Sequence, residues 1–187
     1  MRTYYTVSVT RIIFLLVALP LLAAPPARFA EHTIATGLTG GYQVVAADLN
    51  HDGRPDVIAL ASGLPELVWY ENPTWERHVI AGKQAGMINC AVVGADSEGV
   101  PEIVLASGFS NQPKKSAGIV SVLRHDGDPR NLWTVTEIDR IPASHRLRTA
   151  DIDGSGKRVV VNAALAAADA EGPDYRGYAP LVFYRPG

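Results

Sequence analysis

After its first 30 residues the chain alternates short apolar runs with polar turns. The runs are rich in Val, Ile, Tyr and Trp and are bounded by Gly, Pro, Asn or Asp, as β-strands usually are. Four kinds of segment recur along the chain. The first lies at 44–48, 91–96 and 147–151, and the second at 56–60, 102–105 and 158–161. The third lies at 66–73, 118–123 and 180–186, and the fourth at 32–35, 77–81 and 133–138. No stretch keeps a helical apolar period over three turns, so the pattern predicts an all-β fold.

The recurring segments define three units, whose leading aspartates Asp48, Asp96 and Asp151 lie 48 and 55 residues apart. Units of this length with four strands are typical of propeller blades, and propellers usually close with four to eight of them. The third unit ends before an outer strand, which would leave an unpaired apolar edge. We therefore predict a partial β-propeller of about three four-stranded blades, a fragment of a larger, seven-bladed ring. A closed ring of several copies is the alternative.

The first 30 residues differ in character from the repeats. Arg2 and Arg11 precede the apolar run Ile12–Ala24, and a membrane span needs roughly 20 apolar residues. A basic start, a short apolar run and small residues after it indicate a secretory signal peptide. We assign 1–30 to a signal peptide with a short leader and 31–187 to the repeats. An uncleaved anchor is the alternative; after cleavage we expect no stable membrane span.

Composition excludes some functions and narrows the location. The chain has 17 basic and 19 acidic residues, and without a basic cluster a nucleic-acid partner is not expected. Cys90 is the only cysteine, which rules out an internal disulfide, and we expect it to be a small buried hydrophobe. No Asn-x-Ser/Thr acceptor occurs, which favours a secreted or periplasmic protein of a bacterial envelope.

Residues 48–56, Asp-Leu-Asn-His-Asp-Gly-Arg-Pro-Asp, carry the most specific chemistry. Oxygen-bearing side chains stand at positions 1, 3, 5 and 9, with Gly53 at position 6. Such spacing suits a hard cation, since the glycine permits the bend that wraps the chain around the ion. An EF-hand is excluded because position 12 is Ala59, where a bidentate Glu is needed. The alternative interpretation is a tight turn built from Asp, Asn and Gly.

This loop, with a strand on each side, resembles the FG-GAP/VCBS repeats, a family of β-propeller proteins that often carry calcium in the blade loops. The resemblance covers about residues 31–187, and 47–59 is its most specific part. It implies a structural Ca²⁺ with ligands from five residues: side-chain oxygens of Asp48, Asn50, Asp52 and Asp56, and the backbone carbonyl of Arg54. Mg²⁺ is disfavoured because it demands stricter octahedral geometry.

The other two loops depart from this pattern. The second holds Asp96, Glu98 and Glu102 but has two residues fewer between its first and last acid. The third holds Asp151 and Asp153, followed by two basic residues, 157 and 158, close to where the last acid should stand. We predict no metal in the third loop and leave the second open.

These observations favour a secreted, calcium-stabilised propeller module that binds a protein or a carbohydrate. Insertions at 108–117 and 166–178 interrupt the repeat, and surface loops often carry binding sites. The run 41–81 also resembles, more weakly, the propeller part of aldos-2-ulose dehydratase-like lyases. That alternative implies a metal-dependent sugar-ketone lyase, in which His145 would be the metal ligand or acid–base residue to test. Whether the protein is an enzyme stays open.

Overall fold

The computed structural model describes residues 28–94 and 101–185. The chain divides into two compact units, Met1–His32 and Thr33–Gly187, and the second holds all the strands below. The predicted signal peptide falls outside the described residues except for its last positions. Within the described part of the chain, no helix has the length and the apolar character needed to cross a membrane.

The described residues form eleven strands in three antiparallel sheets, each pairing strands that follow one another in sequence. The first blade comprises β1 (Gly41–Ala47), β2 (Asp56–Ala61), β3 (Leu67–Glu71) and β4 (Glu76–Ala81). The second comprises β5 (Asn89–Val93), β6 (Glu102–Ser107), β7 (Ile119–Arg124) and β8 (Thr134–Arg140), with a 3₁₀ turn at Pro113–Lys115. The third comprises β9 (Ser144–Ala150), β10 (Val159–Ala164) and β11 (Leu181–Tyr184). The all-β partial propeller predicted from the pattern is confirmed.

One predicted strand is wrong. Residues 32–35 lie in the described part of the chain but form no strand. Instead Ile34, Ala35 and Leu38 pack against a buried cluster on the first blade. Gly37 and Gly40 have φ angles of 80° and 67°, a left-handed backbone that turns the chain directly into β1. The segment therefore covers a face of the sheet rather than pairing with its edge.

Two hydrophobic clusters join the blades. Trp69 of β3, with none of its surface exposed, belongs to a cluster that also contains Leu123 and Trp133 of the second blade. A second cluster joins Val104 of the second blade to Val160 of the third. Cys90 is also buried, and burial raises the pKa of its thiol to about 12, so its predicted role as a small buried hydrophobe is confirmed.

The strands β1, β5 and β9 lie side by side as the inner strands of the three blades, and amide side chains connect them. The Gln43 side chain donates to the carbonyl of Cys90 at 3.0 Å and accepts from its N–H at 2.7 Å. Asn89, at the equivalent position of β5, accepts from the N–H of Leu147 at 2.8 Å. Each amide thus satisfies backbone groups of the next inner strand that no strand pairing reaches.

The loop between β7 and β8 contains a histidine packed against the blade interface. The rings of His125 and Trp133 are 4.7 Å apart, and His125 Nε2 is buried with no hydrogen-bond partner among the described residues. Burial lowers the pKa of His125, and His51 lowers it further, while Asp126 and Asp128 raise it. The folded protein therefore favours the neutral imidazole.

We expect this histidine to weaken the fold in acid. Its folded-state pKa lies below the ordinary value of about 6.5, so the unfolded chain binds more protons as pH falls through that range. The free energy of unfolding should fall from pH 7 to pH 5 by less in His125→Phe, which keeps a ring against Trp133, than in the native protein. Urea unfolding at both pH values measures this, and equal losses in the two proteins would contradict it.

Candidate metal centre and the opposite end of the blades

The loop between β1 and β2 has the bend predicted from its glycine. Gly53 has a φ of 82°, and His51 also lies in the left-handed region at 58°. A Cβ added to Gly53 would meet no atom within 4 Å, so the glycine serves backbone conformation rather than close packing. The two left-handed residues turn the chain back so that β2 pairs with β1 directly after the loop.

The side-chain oxygens of the loop bind its own amides. Asp48 accepts from the N–H groups of Asp52 at 3.2 Å and Gly53 at 2.9 Å. Asn50 Oδ1 accepts from the N–H of Asp52 at 3.1 Å, and Asp52 Oδ1 accepts from the N–H of Arg54 at 2.8 Å. Three of the predicted ligand side chains therefore point into one turn, and each carboxylate and carbonyl oxygen keeps a further lone pair.

Asp56 has a different environment, being fully buried at the start of β2. Its Oδ2 accepts from the N–H of Leu49 at 3.0 Å, and its Oδ1 accepts from the N–H of Asn72 at 2.9 Å. Burial raises the pKa of this carboxyl, the two backbone hydrogen bonds oppose that rise, and Asp52 and Asp48 add to it. Asp56 thus connects the loop to the turn after β3.

The donor chemistry of the loop fits a hard cation, since it comprises three carboxylates, an amide oxygen and a backbone carbonyl. Among the residues that the structure describes, however, no three His, Cys, Asp or Glu side chains come close enough together to hold a metal. The calcium ligands Asp48, Asn50, Asp52, Arg54 and Asp56 therefore stay a prediction.

Glu71, at the end of β3, connects the loop to the rest of the blade interface. It accepts from Asn50 Nδ2 at 3.0 Å, from Arg130 Nε at 2.9 Å and from a second Arg130 nitrogen, and it contacts His78 Nε2 at 3.0 Å. The Arg130 hydrogen bond is the main cause that lowers the pKa of Glu71. By engaging Nδ2, Glu71 leaves Asn50 Oδ1 turned toward the loop.

The third loop has the same backbone plan with different chemistry. Asp151 accepts from the N–H groups of Gly154 and Gly156, each at 2.8 Å, as Asp48 accepts from its own loop. Asp153 pairs with Arg185 at 3.2 Å. Hydrogen bonds from Ser155, followed by the one from Arg185, lower the pKa of Asp153 to about 2. A guanidinium therefore neutralises Asp153 in this loop.

Strand register corrects the alignment of the second loop. The paired strand ends enclose eight residues in every blade, namely 48–55, 94–101 and 151–158. The second loop is therefore not shortened: Gly94 takes the place of Asp48, and Glu102 takes the place of Asp56. Glu102 pairs with Arg124 at 2.5 Å. Asp96 and Glu98 lie outside the described residues, and the predictions made for them are not tested.

The charged residues at the ends of the third strands are not among the predicted site residues, although the repeat contains a signal for them. Tyr70, Leu123 and Tyr184 hold matching register positions in their blades, so the residues that follow them are equivalent. Those residues are Glu71, Arg124 and Arg185. The charge at this position is reversed between the first blade and the other two. The aligned segments 66–73 and 180–186 include the position, and 118–123 ends one residue before it.

The insertions 108–117 and 166–178 meet at the end of the blades opposite the loop 48–56. Each follows the second strand of its blade, and Lys114 of the first insertion pairs with Glu171 of the second at 2.5 Å. They enclose a cleft of about 420 Å³, which Tyr175 also lines. This volume is within the range of small-ligand pockets, so the insertions form a shared surface rather than two separate loops.

Side chains from all three blades also converge at this end. Tyr42 Oη lies 3.0 Å from His145 Nε2 and accepts from Arg146 at 3.2 Å. The ring of Phe109 lies 5.3 Å from that of His145. Burial, with a smaller contribution from Arg146, lowers the pKa of His145. The β1 and β9 pairings are irregular at Tyr42 and at His145, and such bulges redirect side chains.

Repeated antiparallel sheets with a turn-rich oxygen-donor loop after the inner strand define a propeller-type repeat protein. Residues 40–70 match the family model described as FG-GAP repeat, and they span β1, the loop, β2 and most of β3. The recognition of this repeat is confirmed. No curated protein matches the chain, and the resemblance to aldos-2-ulose dehydratase-like lyases stays a prediction without support.

Proposed function

We propose that this protein is an exported β-propeller module, stabilised by calcium in the loop 48–56, that binds its ligand at the end where the insertions lie. One observation carries the calcium proposal. Asp48, Asp52 and Asp56 form no ion pair with any described basic side chain, whereas Arg124 and Arg185 neutralise acids of the second and third blades. The first loop keeps its negative charge, which a divalent cation would balance.

The position of the loop favours a structural role for the ion. The loop follows the inner strand β1, whereas the insertions follow β6 and β10, which run antiparallel to the inner strands. The proposed ion and the insertions therefore lie at opposite ends of the blades. An ion at that distance from the insertions stabilises the turn and does not contact a ligand bound among them.

The decisive experiment measures thermal unfolding with calcium and with chelator. Calcium at about 100 times its Kd adds about 2.7 kcal/mol to the stability of a protein that binds it only when folded. For a chain of this size that corresponds to a rise in Tm of roughly 5–10 °C. We expect this rise in the native protein and its loss in Asp52→Ala, which removes an exposed loop carboxylate.

Asp153→Ala is the matched control because it removes an acid of the equivalent loop in the third blade. We expect this variant to keep the calcium-dependent rise. A native protein whose Tm is the same in calcium and in chelator would contradict the proposal. N-terminal sequencing of the mature protein tests export, with cleavage expected within residues 1–30.

The lyase alternative would require His145 to bind a metal or to transfer a proton. Its described neighbours are Tyr42, Phe109 and the guanidinium of Arg146. A fixed positive charge beside the imidazole opposes a bound cation. The geometry therefore favours a binding module over a metal-dependent enzyme at this place.

A further inference from the structure

The inner strand β9 carries two arginines that no described acid pairs with. Arg77, Arg124, Arg130, Arg140, Arg176 and Arg185 each lie within an ion pair with a carboxylate. Arg146 and Arg148 form no ion pair with any described acid; their polar partners are the Tyr42 hydroxyl, Asn89 Oδ1 and the carbonyl of Leu147. Both are exposed, in a chain whose net charge is −2.

Arg146 makes different contacts from the residues at the equivalent position of the other two inner strands. Gln43, Asn89 and Arg146 occupy the same register position of their inner strands, counted from the pairs that close each loop. Gln43 and Asn89 bind the backbone of the neighbouring inner strand. Arg146 instead reaches toward the first blade, with its guanidinium 5.5 Å from the centre of the Tyr42 ring. Among the described residues, the Tyr42 hydroxyl is the one hydrogen-bond acceptor for its five N–H donors.

Arg148 lines an open cleft, and Arg146 lies next to it on the same face of β9. Arg146 and Arg148 are two residues apart on a regularly paired stretch of β9, so they project from the same face. Arg148 lines a cleft of about 510 Å³ between the inner strands, together with Val44 of β1 and Ala91 of β5. Asp48 and Arg158 line the same cleft. Its volume would hold a ligand the size of a monosaccharide.

We propose that Arg146 and Arg148 form a binding site for an oxyanion, so that the cleft between the inner strands takes a small ligand bearing a carboxylate or phosphate group. A guanidinium can bind either group with two parallel hydrogen bonds. Val44 and Ala91 add apolar surface beside Arg148 in the cleft. Tyr42 and Phe109 supply rings at the end of the site. The cleft lies between the inner strands and not among the insertions, so this site goes beyond the ligand site proposed above.

Isothermal titration calorimetry of the full chain at low salt tests the site with three probes: galacturonate, inorganic phosphate and neutral galactose. We expect saturable binding of at least one anion and none of galactose. Because a hydrogen bond between charged groups is stronger than one between neutral groups, Arg146→Gln and Arg148→Gln should each weaken binding about tenfold or more. Whichever anion binds distinguishes a carboxylate ligand from a phosphate ligand.

Arg140→Gln is the matched control, since it also removes one exposed arginine but lies on β8. It should bind the anion as the native protein does, and circular dichroism should show all three variants folded. Binding of neither anion, binding unchanged in Arg146→Gln, or equal binding of galactose would overturn the proposal. A calcium-dependent Tm in the same samples would show that the calcium proposal stands independently of that result.

Discussion

Replacing Trp69 with alanine is expected to lower the free energy of unfolding by about 3–5 kcal/mol, as large-to-small changes in a well-packed core do. The Trp69 side chain has no exposed surface, and it lies in the cluster that joins the first blade to the second. The ring of His78 packs on it at 4.7 Å. The cavity would therefore open where two blades meet, and urea unfolding monitored by circular dichroism measures the loss.

Trp69→Phe is the control that separates volume from hydrogen bonding. Trp69 Nε1 is buried without a hydrogen-bond partner among the described residues, and such a group costs stability. Phenylalanine removes that N–H and keeps a ring, so we expect it to lose much less stability than alanine. Equal losses in the two variants would show that packing of the ring is not what stabilises this interface.

Replacing Asp56 with alanine is expected to cost roughly 2–4 kcal/mol even in chelator, because it leaves two backbone N–H groups without their charged acceptor. Those N–H groups belong to Leu49 in the loop and to Asn72 in the turn after β3. The carboxylate of Asp56 therefore connects these two segments. Denaturant unfolding in chelator excludes any contribution of a bound ion. The result therefore reports the structural role of the carboxylate alone.

Asp52→Ala provides the comparison within the same loop. Its side chain is exposed, and substitutions at such positions usually change stability by no more than about 0.5 kcal/mol. In chelator the two variants should differ clearly, and in calcium both should lose the ion-dependent gain. If Asp56→Ala matched the native protein in chelator, its buried hydrogen bonds would not be stabilising the loop.

Local patterns predicted most of the fold. Short apolar runs between polar turns located β1, β2, β3 and β4 closely, and Gly53 marked the bend of the loop. Both signals are local, because strand and turn preferences depend on neighbouring residues. Trp69 and Tyr70 are buried in the first blade. Phe183, at the equivalent position in the third blade, is 50% exposed. Burial depends on what packs against a sheet, which a repeat alone does not specify.

Contacts between distant residues could not be read from the pattern. Tyr42 and His145 lie 103 positions apart, and their meeting depends on two bulges and on how the inner strands pack. Matching the acids of the second loop by residue type places Asp96 at the first position of that loop, and this alignment is wrong. Strand register instead places Gly94 at the first position of that loop. Matching by charge fails where a repeat keeps its length but changes its chemistry.

The three loops have the same length but different charges, so the shape of a blade does not determine the charge of its loop. Eight residues join the inner pair of strands in each blade, while the neutralising charge comes from outside the loop, at the end of the third strand. An arginine there supplies a permanent counter-ion, and Glu71 does not. Under the calcium proposal, an arginine in place of Glu71 would therefore free the first blade from dissolved calcium without changing the register of any strand.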